Sequence, residues 1–459
     1  MITKKTIKKK KVAIIVIMFA ILCGISASIL LAMNYVPEYL LEVKDHKEEN
    51  VKLDAFKKVS NHLSIMVYYP KIDNELGNTI KEVSEKLYNQ VLEDEADSEA
   101  KKILVRVDYT LLPITEELIN YRFEITKLVD GIESTETESL WINKNDGNLI
   151  DTSLIYDDIA LRLMTQSLRT QCKQDVDLQD VAYTKEFLEK TDKNGQLFTN
   201  FILDGNTLVY KIENLAPKVI EFRLDLTTIA SHINIYFGVD QSIPDPVVYI
   251  PNRYVDPNRP MVALTFDDGP HITNTPQILE VLRRYDSAAT FFVVGNRITT
   301  KGSAVILDEI ESGSQVASHS YSHPNMAKMK NLDEQFYLTS QKVYEDVSQW
   351  CYQVTAFRPP YGAISKRMRE TSPYPFIMWS IDTLDWKTRD VQSTINETMN
   401  NAKDGDIILL HDIHAESKDA AIQIIPMLIE KGFQVVTVNE MMSAKGIQME
   451  NGKSYSRAR

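Results

Sequence analysis

The chain has 459 residues, of which 44% are hydrophobic and 25% charged, and a formal net charge of −13. That length suits two to four domains with full cores. The acidic balance speaks against a nucleic-acid partner, because phosphate backbones recruit Lys and Arg.

Six lysines stand before residue 12, and no charged residue occurs from Val12 to Met33. As a helix that run would reach about 33 Å, enough to cross a bilayer. Residues 1–11 are therefore expected to form a cytoplasmic basic tail and 12–33 a transmembrane anchor, with the remainder outside the cell. The alternative is a cleaved signal peptide with Ser26-Ala27-Ser28 at its processing site. Cys23 reads as an apolar membrane residue. Without the first 33 residues the chain carries 45 basic against 64 acidic residues, so the expected exterior part is more acidic still. Cys172 and Cys351 fall in different predicted domains and are expected to be unpaired.

Residues 34–50 are charged and unpatterned, a spacer. His62–Tyr69 has strand composition stopped by Pro70. In Asn78–Leu92, Ile80, Val83, Leu87 and Val91 share one helical face. Strands are expected at Ile103–Leu112, Leu118–Val129 and Glu138–Asn143, giving an α+β domain over 51–145. A second α+β domain is expected over 146–241, with helices at Tyr156–Cys172 and Thr184–Thr191. A hairpin follows, Leu197–Leu203 with Thr207–Ile212, turned at Asp204-Gly205-Asn206. Residues 51–240 weakly resemble small extracytoplasmic domains that precede wall enzymes in bacterial surface proteins, a likeness that assigns no residue a role. Pro244, Pro246, Pro251, Pro257 and Pro260 mark 242–260 as a linker.

From Met261 onward strand and helix patterns alternate. The strands are Val262–Phe266, Ala289–Val294, Gln315–Ser318, Val354–Arg358, Phe376–Ile381, Ile407–His411 and Phe433–Val438. The helices between them are Pro276–Tyr285, Ala304–Ser312, Leu332–Trp350, Ser393–Ala402 and Ala420–Lys431. Repeated β-then-α units imply parallel strands, and about seven of them suggest a barrel-like closure with chemistry at the C-terminal strand ends.

Polar clusters fall at those ends. Asp267-Asp268-Gly269-Pro270 follows the first strand. Two carboxylates closing a strand suggest a metal, a cationic partner or catalysis, since a buried unpaired carboxylate costs several kcal/mol; the competing reading is an acidic surface turn. His319 and His323 are spaced i, i+4 after the third strand, which fits a metal site completed by a carboxylate. That donor set serves zinc and non-haem iron alike. Arg358-Pro359-Pro360-Tyr361-Gly362, Asp382-Thr383-Leu384-Asp385-Trp386 and Leu409-Leu410-His411-Asp412 follow later strands.

Together and in order, TFDDGP, HSYSH, RPPYG, DTLDW and LLHD resemble the five motifs of the polysaccharide deacetylases of carbohydrate esterase family four. The resemblance covers about Tyr254–Ala444, so the catalytic domain is placed at 254–445. With the anchor and N-terminal region added, the layout resembles membrane-anchored peptidoglycan N-acetylglucosamine deacetylases. It implies a distorted (β/α) barrel that removes N-acetyl groups from N-acetylglucosamine in cell-wall peptidoglycan, using metal-activated water. Asp268, His319 and His323 match the metal ligands. Asp267 matches the general base, Arg358 the residue that holds it, His411 the general acid and Asp385 the carboxylate that orients that acid. The backbone N–H of Tyr361 matches an oxyanion donor, while Trp386 and Leu409 match the walls of the acetyl pocket. The implied cofactor is one divalent ion, Zn2+ first, with Co2+, Mn2+, Ni2+ or Fe2+ as alternatives. The implied partners are the wall glycan and the membrane, with no nucleic acid. Another glycan substrate (chitin-like, poly-N-acetylglucosamine or acetylated xylan) is the alternative within this chemistry. A surface ligand-binding receptor using residues 51–240 is the alternative from another class.

Overall fold

The computed structural model describes residues 52–233 and 253–459, except 61, 96–97, 99, 101, 153–154, 194, 199–200, 213–214, 217 and 348–351. The expected basic tail, membrane span and spacer, most of the proline-rich linker, Cys23 and Cys351 lie outside the described residues. Among the described residues no helix is long and apolar enough to cross a membrane.

The chain forms two compact units. The first, ending at Thr152, holds a five-stranded sheet in the order β1 (Lys52–Val59), β2 (Leu63–Lys71), β3 (Ile103–Pro113), β4 (Leu118–Val129), β5 (Ile132–Asn143). Pairing is antiparallel throughout except between β2 and β3. That parallel pair needs a crossover, and α1 (Glu75–Asp94) supplies it. Asn74 caps α1, its side chain accepting from the Gly77 N–H at 3.0 Å. Leu76, Ile80, Leu87 and Val91 are buried along the helix, the face a 3.6-residue period predicts. Strand β2 runs through Pro70, past the expected stop. Beyond Val67 it pairs only with β1, so the missing proline N–H breaks no second ladder.

The second unit contains residues 155–198, 203–233 and 253–459 as one body, whereas a separate middle domain was expected. The N-terminal part holds α2 (Asp158–Gln174), α3 (Gln179–Ala182), α4 (Lys185–Lys190), the end of β6 (Phe201–Asp204) from Leu203 on, and strands β7 (Thr207–Ile212) and β8 (Ile220–Asp225). Buried charges tie α2 to the rest of the unit. Arg169 donates to the carbonyls of Arg283 and Arg284, each at 2.9 Å, satisfying orphan groups at a helix C-terminus. Lys173 pairs with the buried carboxylate of Asp286. Burial would raise that carboxyl, but the charges of Lys173, Arg169 and Arg253 outweigh it and hold it below its usual range. Cys172, also on α2, is a free buried thiol that burial pushes up to about 12.

From Met261 the expected alternation appears. Strand β9 (Met261–Asp267) has β14 (Ile407–His411) along one side, and β15 (Gln434–Val436) then β10 (Thr290–Val293) along the other. Next to β10 lies β11 (Gln315–Ser318), and β13 (Ile381–Asp382) flanks β14. Single parallel bridges from Ser318 to Phe357 and from Phe357 to Phe376 continue the path to β12 (Phe376–Ile377), which pairs with β16 (Ser454–Tyr455). All of these pairings are parallel, so the result is a distorted, barrel-like ring. The expected strand Val354–Arg358 is reduced to two bridges at the single residue Phe357, and the expected Phe376–Ile381 strand is split in two. Around the ring stand α5 (Asn274–Arg284), α6 (Thr300–Glu311), α7 (Asp333–Asp346), α8 (Lys366–Thr371), α9 (Asp385–Thr388), α10 (Val391–Asn401), α11 (Ala415–Glu430) and α12 (Val438–Ala444).

Candidate active site

Strand β9 carries the sequence from a wholly apolar interior to the acidic turn. Met261, Val262, Ala263, Leu264 and Phe266 are fully buried, as expected of a central parallel strand. At its end Asp267 is buried and Asp268 half-buried. Asp268 takes φ +74°, a left-handed conformation in which its side chain departs from the strand alternation. The two neighbouring carboxylates share His319 as a neighbour, but only Asp267 meets Arg358 and only Asp268 meets His323. Gly269 follows because space is short: a Cβ there would stand 2.7 Å from Asp412 Oδ2.

Asp267 Oδ1 accepts from Arg358 Nη1 at 2.8 Å. The fully buried Arg358 also donates to Thr265 Oγ1 and to the carbonyls of Ile377 and Met378, at 2.8, 3.0 and 3.0 Å. Its guanidinium lies 4.0 Å from the centroid of the Phe292 ring. Burial lowers its pKa, and the charge of Asp267 works against that shift.

Asp268, His319 and His323 come together with one potential ligand atom each, all within 4.8 Å of one another. His319 Nδ1 is 2.7 Å from the carbonyl oxygen of Arg358. A carbonyl only accepts, so Nδ1 carries the hydrogen and Nε2 presents its lone pair to the acidic turn, 3.6 Å from Asp267 Oδ2 and 3.8 Å from Asp268 Oδ1. His323 Nε2 is 3.4 Å from Asp268 Oδ1. Burial first, and the neighbouring His319 second, lower the pKa of His323, favouring the neutral imidazole that a metal requires. The loop between the two histidines is held from α7 by Gln335, whose Oε1 accepts the N–H groups of Tyr321 and Ser322 at 3.1 and 3.0 Å. Two imidazole nitrogens and a carboxylate oxygen fit one divalent cation with open positions. They do not select among zinc, cobalt and iron.

Strand pairing brings in the third group. His411 on β14 is the register partner of Asp267 on β9. Its Nδ1 is 2.9 Å from Asp385 Oδ1, and its backbone N–H donates to Asp385 Oδ2 at 2.8 Å. Ser417 on α11 adds a hydrogen bond to Oδ2 at 2.5 Å. Burial would lower the pKa of His411, but the hydrogen bond and charge of Asp385 outweigh it and raise it. For Asp385 burial acts upward, and the bond from His411 carries it below the usual range. Just beyond, Asp412 is buried, accepts from the Thr275 hydroxyl through Oδ2, and has no partner at Oδ1. Burial pushes it up to about 7.

Asp267, Asp268, His319, His323, Tyr361, Trp386, Leu409 and His411 all line one cavity of about 460 Å³. Arg358 and Asp385 stand behind its wall. Tyr361 and Trp386 are large and exposed, 69% and 48%, although apolar rings are normally covered. Tyr361 takes φ +63°, and its ring meets that of His323 edge to face with centroids 4.7 Å apart. Sequence reasoning missed Trp379 and His414, which also line the cavity, and the supporting residues Gln335 and Ser417; it named Asp382, another lining residue, within its motif but gave it no role. His414 stands just past the motif that ends at Asp412. Gln335 and Ser417 sit in ordinary helical sequence with no local signal.

Residues 254–373 match the polysaccharide deacetylase family. Peptidoglycan-N-acetylmuramic acid deacetylase PdaC of Bacillus subtilis is 28% identical over 428 residues, covering 87% of this chain and 90% of that protein. Peptidoglycan-N-acetylglucosamine deacetylase PgdA of Listeria monocytogenes is 28% identical over 421 residues, 87% of this chain and 85% of its own. A peptidoglycan-N-acetylglucosamine deacetylase of Bacillus cereus is 34% identical over 199 residues, 41% of this chain and 91% of that protein. The chain belongs to the polysaccharide deacetylase family and is an enzyme of that class.

Proposed function

We propose that the enzyme hydrolyses N-acetyl groups of N-acetylglucosamine residues in cell-wall peptidoglycan, with one divalent metal ion, zinc first, held by Asp268, His319 and His323. The observation that carries this reading is the pairing of Asp267 with His411 across two parallel strands beside that donor set. Amide hydrolysis needs a proton removed from water and a proton given to nitrogen, and a carboxylate beside an imidazole at one cavity supports giving one task to each. When bound, the metal polarises the acetamide carbonyl and acidifies water.

Asp267, held by Arg358, takes the proton of the attacking water. The backbone N–H of Tyr361 stabilises negative charge as it develops on the carbonyl oxygen. His411, oriented by Asp385, gives its proton to the amide nitrogen as the C–N bond breaks, leaving acetate and a free amine. Trp386 and Leu409 enclose the acetyl methyl group.

Peptidoglycan is favoured over xylan or chitin because PdaC and PgdA, both peptidoglycan deacetylases, align along most of the chain and not only its catalytic part. A wall substrate agrees with the expectation that residues 12–33 anchor the chain and leave the rest outside the cell. The test is acetate release from purified sacculi, N-acetylglucosamine oligomers and acetylated xylan. Release from xylan alone would overturn the substrate, and release that survives a chelator would overturn the metal.

A further inference from the structure

The three proposed metal ligands come from two loops that leave different strands, Asp268 from the end of β9 and both histidines from the segment after β11. Each loop passes through left-handed backbone at residues other than glycine. Asp268 has φ +74°, Ser320 +68° and His323 +57°. Such conformations cost an L-residue free energy and persist only where the surroundings impose them.

A third segment touches both loops. Residues 294–297 follow β10, the strand between β9 and β11, and close in a single tight turn, Gly295–Arg297. Toward the acidic loop, the Val294 N–H donates to the carbonyl of Gly269 at 2.9 Å and Arg297 Nη1 donates to the carbonyl of Asp268 itself at 2.7 Å. Toward the histidine loop, the N–H groups of Gly295 and Asn296 donate to the carbonyls of Ser320 and Tyr321 at 3.1 and 2.8 Å. Four consecutive residues thus hold two carbonyls on each side. Gly295 permits this approach, since a Cβ there would stand 2.6 Å from both Thr339 Oγ1 and Tyr321 Cδ2. Backbone makes three of these contacts, and the fourth depends on one side chain. Arg297 is exposed, and among the described residues its guanidinium has no other hydrogen bond and no ion pair.

We propose that Arg297 is a positioning residue for the metal: its bond to the Asp268 carbonyl holds that residue in its left-handed conformation and keeps the carboxylate aligned with His319 and His323. This rests on the metal reading of those three residues above. Holding the carbonyls of Asp268 and Gly269 together pins both peptide planes that follow the carboxylate. Water could satisfy the Asp268 carbonyl equally well, but it could not tie it to the segment that also fixes the histidine loop. The worth of the contact is therefore alignment of the donors, and outer groups that orient ligands commonly govern 10- to 100-fold in metal affinity.

The experiment uses the full chain, freed of metal, as wild type, Arg297→Met and Arg297→Lys. Zn2+ affinity is measured by competition with a chromophoric chelator, beside the Co2+ absorption spectrum and the urea midpoint of each metal-free protein. Arg297→Met keeps much of the side-chain length without its donors. It should bind Zn2+ about 10-fold more weakly and alter the Co2+ spectrum, with the metal-free midpoint unchanged. Arg297→Lys, which retains one cationic donor, should recover part of the affinity. Equal Zn2+ affinity in wild type and Arg297→Met overturns the proposal and leaves the metal reading intact. A loss of affinity matched by a fall in the metal-free midpoint also overturns it, because Arg297 then serves the fold and not the donor set. A wild type that binds neither Zn2+ nor Co2+ overturns the metal reading and this proposal together.

Discussion

Asp385 grips His411 twice, through the imidazole Nδ1 at 2.9 Å and through the backbone N–H at 2.8 Å. One carboxylate thereby fixes both the tautomer of the ring and the end of the strand that carries it. Hydrogen on Nδ1 leaves Nε2 to hold the transferable proton. Because Asp385 raises the pKa of His411 against burial, the protonated acid persists to higher pH than an isolated buried imidazole would. Asp385→Asn should lower that pKa, moving the alkaline limb of the pH–rate profile downward, and reduce kcat by roughly 10². A pH–kcat profile of both proteins checks it; an unmoved alkaline limb would separate Asp385 from the acid's charge state.

The two adjacent carboxylates should part company under the same substitution. Asp268→Asn removes the only carboxylate from the donor set, so metal content and activity should fall together. Asp267→Asn leaves all three donors in place and should cost roughly 10² to 10⁴ in rate as a lost general base. Elemental analysis beside acetate release distinguishes the cases. Loss of metal in Asp267→Asn would sink this division of labour.

Asp412 links pH to stability. Its folded pKa of about 7 exceeds the ordinary aspartate value of about 3.9, so folding favours the protonated form. That contribution is complete below about pH 3.9 and is lost progressively as pH rises toward the folded value, a difference of about 4 kcal/mol at most. Asp412→Asn cannot ionise and keeps a polar group near Thr275. Between pH 4.5 and 7.5 the wild type should lose more urea stability than the variant, measured with a chelator present in both.

Lys173 tests the joint between α2 and the barrel. Lys173→Met strands the buried Asp286 carboxylate and should cost about 3 kcal/mol, the low end for an orphaned buried charge because Arg169 and Arg253 remain nearby. Adding Asp286→Asn should return part of the loss. Denaturant midpoints of the wild type, both single variants and the double variant give the answer; additive losses would show that the pair does not interact.

Much of this was legible in the sequence because the signals are local. Strands Gln315–Ser318, Leu118–Val129 and Ile407–His411 appear at their expected bounds, their apolar runs being bracketed by polar or turn residues. The five motifs lie at strand ends, where parallel pairing gathers them in one place. What escaped depends on contacts between distant segments. Phe357 alone keeps bridges although Val354–Arg358 looks like a strand. Helix α11 begins at Ala415, ahead of the expected Ala420, because its first turn is polar and carries no period. That early start brings Ser417 to Asp385. The joining of α2 to the barrel was hidden because Arg169 and Lys173 read as ordinary helix-surface cations until their buried partners are seen.

Arg358 reaches two kinds of acceptor at once, the carboxylate of Asp267 and the backbone carbonyls of Ile377 and Met378. The first contact holds the proposed base, and the second ties down the chain leaving β12, which a single bridge joins to Phe357. Selection therefore has no free hand at this position. Any substitution that retunes the base also loosens the wall behind it, and even lysine cannot span both sets of acceptors from one ammonium. Adjustment of rate or pH optimum would be sought around His411, at Ser417 and His414, which lie in and just before α11 and not in a strand of the ring.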